Sequence, residues 1–200
     1  MAADESGSLL EPHDWEAFRR EAHSALDVAI DHVRGRQDMP VWRELPAMAR
    51  EVDAPLPDEG SALPELVEYL QRRVLPYTLG NTHPRFWGWV HGSGTPSAIV
   101  SSLMMAAINA NLGGRDHAPI YIERQLISWM KSLFGYPADA SGTIVTGTSS
   151  ATLLGLAVAR QRALGSGVRE RGKSVDDGLV AYCSEQAHVS VMKAMELLGL

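Results

Sequence analysis

Two stretches late in the 200-residue chain constrain its fold more than anything else in it. They are Gly142-Thr-Ile-Val-Thr-Gly147-Thr-Ser-Ser-Ala-Thr-Leu-Leu154 and Leu179-Val-Ala-Tyr-Cys-Ser-Glu-Gln-Ala-His188-Val-Ser190. Each reads as a strand running into a helix, with polar residues in the turn between. The pattern is strand (about 142–146), helix (150–164), polar loop (165–177), strand (178–183), helix (187–198). A βαβα order implies parallel strands joined by a right-handed crossover, and α/β proteins bind ligands at the ends of such strands. Two parallel strands do not make a stable sheet, because three or more, covered on both faces, are needed. Residues 1–200 are therefore expected to be the front part of a larger α/β domain.

The upstream half reads as helical and extended. Trp15, Phe18, Ala22, Leu26, Ala29, Ile30 and Val33 fall on one stripe of a helix over 12–34, with Asp14 as N-cap and Gly35 as stop. A passage containing Pro40, Pro46, Pro55 and Pro57 is expected to be extended and wrapping. A short helix over 64–75 starts with Pro64 just inside Ser61. Residues 80–95 are rich in aromatics, Gly and His and have no helical period, which marks a functional loop. Thr95-Pro96 opens a helix to about 111 that is apolar on nearly all sides and is expected to be buried, with Gly113-Gly114 as its end. A second amphipathic helix covers about 119–134 and stops at Gly135-Tyr-Pro137.

Composition narrows the function class. The formal charge is −6 and Lys and Arg form no dense run, which argues against a nucleic-acid surface. Cys183 is the single cysteine, which fits a reducing compartment and excludes an intrachain disulfide. The acidic N-terminus has no basic or apolar leader pattern, and no apolar run is long enough to span a bilayer. A soluble cytoplasmic protein is expected.

The turn Thr146-Gly147-Thr148-Ser149-Ser150 has the ingredients of a phosphate cup. Gly147 permits a tight turn, Ser149 or Ser150 can cap the next helix, and the free amides and dipole of that helix favour an anion. A plain Ser/Thr N-cap without ligand explains the same residues. His188 sits at the start of the second helix, where the positive helix end disfavours an imidazolium, so a neutral ring is expected. Gly167-Val-Arg-Glu-Arg-Gly172-Lys173-Ser174 matches the phosphate-loop pattern letter for letter, but a helix precedes it and a strand follows. It lacks the strand-then-helix context the pattern needs and reads as an exposed charged loop. The histidines form no metal-ligand spacing, and Ser149 is not in a Gly-x-Ser-x-Gly elbow. Trp87 and Trp89 serve equally as core packing or as a pocket wall.

Taken together, the segments from about residue 12 onward resemble the pyridoxal-phosphate (PLP)-dependent group II decarboxylases, the family of aromatic-amino-acid, histidine and glutamate decarboxylases. Asn81-Thr-His83-Pro84-Arg-Phe86 is similar to the family's His-Pro-x-Phe segment. Asn109-Ala-Asn111 with Pro119-Ile-Tyr-Ile-Glu123 is similar to its next signature, and the turn at 146–152 to its phosphate turn. Glu185-Gln-Ala-His188-Val-Ser190 is similar to its Gln-Ala-His-x-Ser element. Ser150 is a departure, since many members carry an acidic residue there.

The resemblance implies an aspartate-aminotransferase-like (PLP fold type I) α/β large domain over 81–200, incomplete, preceded by a helical dimer-wrapping segment over 1–80. It implies PLP held by Gly147, Thr148 and Ser149, with His188 stacked on the ring as the catalytic residue, and an amino-acid substrate lined by His83, Pro84, Trp87 and Trp89. It also implies a homodimer, and a Schiff-base lysine beyond Leu200, since Lys131, Lys173 and Lys193 do not fit that role. The activity implied is decarboxylation of an L-amino acid. An aldehyde synthase or other lyase of the same family, or a non-catalytic fragment, stands as the alternative.

Overall fold

Asp14 starts the first helix as its sequence position predicts. Its carboxylate accepts the backbone N–H groups of Glu16 and Ala17, both at 2.9 Å. These bonds, the one from Ala17 foremost, hold the Asp14 carboxyl below the usual carboxylate range. The computed structural model describes residues 11–47, 56–172 and 177–200. Two units, Met1–Asn109 and Ala110–Leu200, divide the chain. Pro55 of the Pro-rich passage, and Lys173 and Ser174 of the phosphate-loop look-alike, lie outside the described residues.

In the first unit, helix α1 (Trp15–Arg34) packs against α2 (Leu63–Arg73) and α3 (Pro96–Ile108). Gly35 ends α1 without turning left-handed (φ −79°), so the chain tightens directly into a 3-10 turn over Arg36–Asp38. Pro64 lies in the first turn of α2 as expected, but Ala62 rather than Ser61 stands at the cap position and no side chain caps that end. Helix α3 stops at Ile108, short of the expected Gly113-Gly114. Asn109 there takes the left-handed conformation (φ 43°, ψ 48°) that Asn tolerates better than most residues.

The expected burial of α3 is not found among the described residues. Val100, Met104, Met105 and Ile108 are each more than half exposed. A helix that is apolar all round needs neighbours on every side, and among the described residues of this unit the main helical neighbour of α3 is α1.

The first unit is pinned by buried polar groups. Arg36 is 5% exposed, and its guanidinium donates to Thr82 Oγ1 at 2.8 Å and Thr78 Oγ1 at 3.3 Å. Gly80 sits between those threonines at φ +85°, and a Cβ there would lie 1.8 Å from the carbonyl oxygen of Val41. The close approach and the positive φ both demand glycine.

In the second unit, α4 (Ala118–Leu133) runs to Gly135, whose φ of +68° ends it where expected. Helix α5 (Thr148–Leu164) begins two residues before the expected start, with Gly147 as N-cap. A four-residue helix, α6 (Val168–Arg171), occupies part of the expected polar loop, with Val168 buried. The Gly167–Gly172 stretch is thus a helical turn rather than a phosphate-wrapping loop. Helix α7 (Val189–Leu198) follows His188 and closes on Gly199 in the left-handed conformation.

Helices α5 and α7 lie side by side and parallel. Ser149 and Ser150 at the start of α5 line one cleft with Ser190 and Lys193 at the start of α7. At the far end, Arg160 Nη1 donates to the Leu198 carbonyl at 2.7 Å. Ser190, Ala194 and Leu198, spaced i, i+4, i+8, are the buried residues of α7, so this face is the packing face. Parallel neighbouring helices are what a βαβα order produces. The two expected strands, however, form no ladder: residues 142–146 and 178–183 carry no β-bridge. A strand exists only through a hydrogen-bonded neighbour, and none is present among the described residues. Ile144, Val180 and Tyr182 are accordingly exposed.

Gly80→Ala is expected to destabilise the protein by about 2–5 kcal/mol, the combined scale of backbone strain and overpacking. Urea unfolding of the variant beside the parent checks this. An unchanged midpoint would show that the Val41 contact does not exist in solution.

Candidate functional site

The start of α5 is a helix end without a side-chain cap. Gly147 holds φ 90° and ψ 149°, a conformation open essentially to glycine. Space around it is free, since a Cβ would meet nothing within 4 Å. The turn therefore needs glycine for its backbone angle and not for room. The first helical bond of α5 is Ala151 N–H to Gly147 O at 3.3 Å, and no side chain caps this end. The amides of Thr148, Ser149 and Ser150 thus have no partner among the described residues. Neither Ser149 nor Ser150 caps the helix, contrary to the sequence expectation, because both already lie in its first turn. Three free amides, the adjacent Thr and Ser hydroxyls and seventeen residues of aligned helix dipole together favour a doubly charged phosphate.

His188 caps α7 with its imidazole. Nδ1 accepts the Ser190 N–H at 3.2 Å and lies 2.9 Å from Ser190 Oγ. Ser190 is 8% exposed, whereas the His188 side chain stays open to solvent. A cleft of about 250 Å³ between the two helices is lined by Ser149, Ser150, Leu153, Ser190, Lys193, Ala194 and Leu197, and Gly147, Thr148 and His188 are not among its lining residues. The sequence singled out His188 and placed Ser190 in a motif without a role. The i, i+2 spacing at a helix start is the pattern that could have revealed the cap.

His83 is 3% exposed, and its Nδ1 accepts the Arg85 N–H at 2.9 Å while its buried Nε2 has no partner among the described residues. Pro84 and Trp87 face outward, Trp87 at 93% exposure. Trp89 takes a left-handed backbone (φ 48°) that is uncommon for a bulky residue. Its ring stacks on His91 at 5.8 Å between centroids, with Phe86 6.1 Å from His91. Asn81 Nδ2 closes the loop by donating to the Gly92 carbonyl at 2.9 Å. Phe86 and His91, rather than Trp87, are thus the ring partners of Trp89.

Lys131 is committed elsewhere. Its Nζ donates to the carbonyls of Ala138 at 2.7 Å and Ala140 at 2.9 Å, fixing the loop after α4. Lys193 lies on the shared cleft. Among the described residues, no group of three or more His, Cys, Asp or Glu could hold a metal ion, and no helix is long and apolar enough to cross a membrane.

The model of the pyridoxal-dependent decarboxylase conserved domain matches residues 46–200. An aromatic-L-amino-acid decarboxylase of Bacillus atrophaeus is 30% identical over 193 residues, covering 92% of this chain and 38% of the relative. A phenylacetaldehyde synthase of Arabidopsis thaliana is 24% identical, covering 98% of this chain and 41% of the relative. The solved tryptophan decarboxylase of Catharanthus roseus, in complex with L-tryptophan, superposes with a TM-score of 0.78 at 22% identity, covering 94% of this chain and 41% of that one. The chain belongs to the pyridoxal-dependent decarboxylase family. Its architecture is that of the corresponding part of PLP fold type I, and it spans about two fifths of the length of the curated relatives it matches.

Gly147→Ala is expected to cost about 1–3 kcal/mol through backbone strain alone. Urea unfolding reads the loss. A variant as stable as the parent would show that Gly147 does not hold its positive φ in solution.

Proposed function

We propose that this chain serves a PLP-dependent decarboxylase acting on an aromatic L-amino acid, a carbon–carbon lyase. The observation that carries this reading is the start of α5, where Gly147 leaves the amides of Thr148, Ser149 and Ser150 free at a positive helix end. We assign the cofactor phosphate to Gly147, Thr148 and Ser149, through amide and hydroxyl donors. We assign the face of the pyridine ring to His188. PLP, when bound, supplies an electron sink for the pair released as the α-carboxylate departs. The residues of this chain bind and orient. The α5 amides hold the phosphate end, and the His188 imidazole covers the ring and offers Nε2 towards the reacting groups.

The substrate side chain is assigned to His83, Pro84, Trp87 and Trp89. The stacked rings of Phe86, Trp89 and His91 support an aromatic substrate, as do the names of the relatives. We further propose a cytoplasmic homodimer in which residues 1–80 wrap the partner and 81–200 form the first part of the cofactor-binding domain. The outward apolar residues of α3 and the exposed Trp15 and Phe18 of α1 support a covered surface there. A second reading is an aldehyde synthase of the same family, which the similarity to the phenylacetaldehyde synthase favours.

The test uses the full-length protein. Added PLP is expected to develop a saturable visible absorbance, and L-tryptophan, L-tyrosine or L-phenylalanine to release CO₂. Ser149→Ala is expected to weaken PLP binding by about 10-fold, the scale of one charge-assisted hydrogen bond at 1.5–3 kcal/mol less partial replacement by water. An amine product supports the decarboxylase, and an aldehyde product the synthase. A folded full-length protein that takes up no PLP overturns both.

A further inference from the structure

Helix α7 is capped in an unusual way. Helix N-caps are normally Ser, Thr, Asp or Asn, whose side-chain oxygen accepts the N–H of the second or third helical residue. Here the cap is His188, and the acceptor is a ring nitrogen. The Ser190 N–H, second in the helix, points at Nδ1 from 3.2 Å, and Ser190 Oγ stands 2.9 Å from the same atom.

That geometry decides a proton position. A backbone N–H can only donate. Nδ1 must therefore present its lone pair, and the Ser190 hydroxyl, a rotor able to donate or accept, turns its hydrogen to the same nitrogen. A neutral imidazole has one N–H and one acceptor, so the ring proton belongs on Nε2. Ser190 is itself fixed. It is 8% exposed and heads the Ser190, Ala194, Leu198 face that packs α7 against α5. The packing of two helices thereby sets the rotation of the imidazole and the nitrogen that carries its proton.

We propose that Ser190 is a positioning residue for His188, locking the imidazole as the Nε2–H tautomer so that it presents a hydrogen-bond donor, not an acceptor, on its open side. The inference rests on the reading of His188 as the ring-covering residue only for its functional meaning, since the tautomer is a property of the protein without cofactor. In the site proposed above, an Nε2–H donor suits an electron-rich partner such as a substrate carboxylate or a cofactor oxygen. It does not suit removal of a proton through Nε2.

The test is ¹⁵N NMR of the full-length protein labelled at histidine and recorded without cofactor. The His188 signals are assigned by their loss in His188→Gln. The parent is expected to show an unprotonated Nδ1 and a protonated Nε2. Ser190→Ala keeps the backbone N–H, which can only donate, and is expected to keep the parent pattern. Ser190→Pro, at a first-turn position, removes that N–H together with the hydroxyl, and a several-fold rise in the Nδ1–H population is expected. A purely structural Ser190 would leave the tautomer ratio unmoved in Ser190→Pro. A protonated Nδ1 in the parent or in Ser190→Ala, or a Ser190→Pro spectrum identical to the parent, overturns the proposal. If Ser190→Pro does not fold, the parent and Ser190→Ala spectra decide alone: protonated Nε2 in both supports the lock, and protonated Nδ1 in either overturns it. Absence of PLP uptake with the tautomer result intact would sink the functional reading and leave this one standing.

Discussion

The parallel contact between α5 and α7 is what the rest of the second unit depends on. It is made by small side chains, Ser190 and Ala194, which let the helix axes approach, and it is tied at the far end by Arg160 on the Leu198 carbonyl. Because the helices run the same way, both positive ends lie at one end of the pair. One of those ends has no side-chain cap at Gly147, and its first three amides have no partner among the described residues. The other is capped by an imidazole. An uncapped helix end favours a bound anion. Together the two helix starts support the cofactor site proposed for this end of the pair.

Much of this was legible because it is written in local chemistry. Asp14, Pro64, Pro96 and Gly135 punctuate their helices within a residue or two of where sequence places them, since caps and stops depend on neighbours along the chain. The fold class was legible from the order of elements and from four motifs in the right sequence. The boundary errors are instructive. Asn109 ended α3 early because Asn accepts a left-handed backbone, a property shared with glycine that the Gly113-Gly114 pair overshadowed. The cap of α5 moved to Gly147 because a glycine at φ 90° can begin the helix before either serine does.

What sequence could not convey is anything that needs a distant partner. The segments at 142–146 and 178–183 have strand composition, yet strand is a relation between chains of backbone and not a property of one. The apolar surround of α3 announced burial, and within its unit α3 meets mainly α1. The aromatic loop shows the same limit from the other side. Trp87 and Trp89 look equivalent in sequence and both are exposed, but only Trp89 meets other rings, those of His91 and Phe86.

The central claim is that the first turn of α5 holds the phosphate of the cofactor. Amide NMR of the full-length protein titrated with PLP addresses it most directly. The account predicts saturable downfield shifts of the Thr148, Ser149 and Ser150 amides, larger than those of any other helix start. Saturable PLP binding that leaves these three amides unmoved would contradict it.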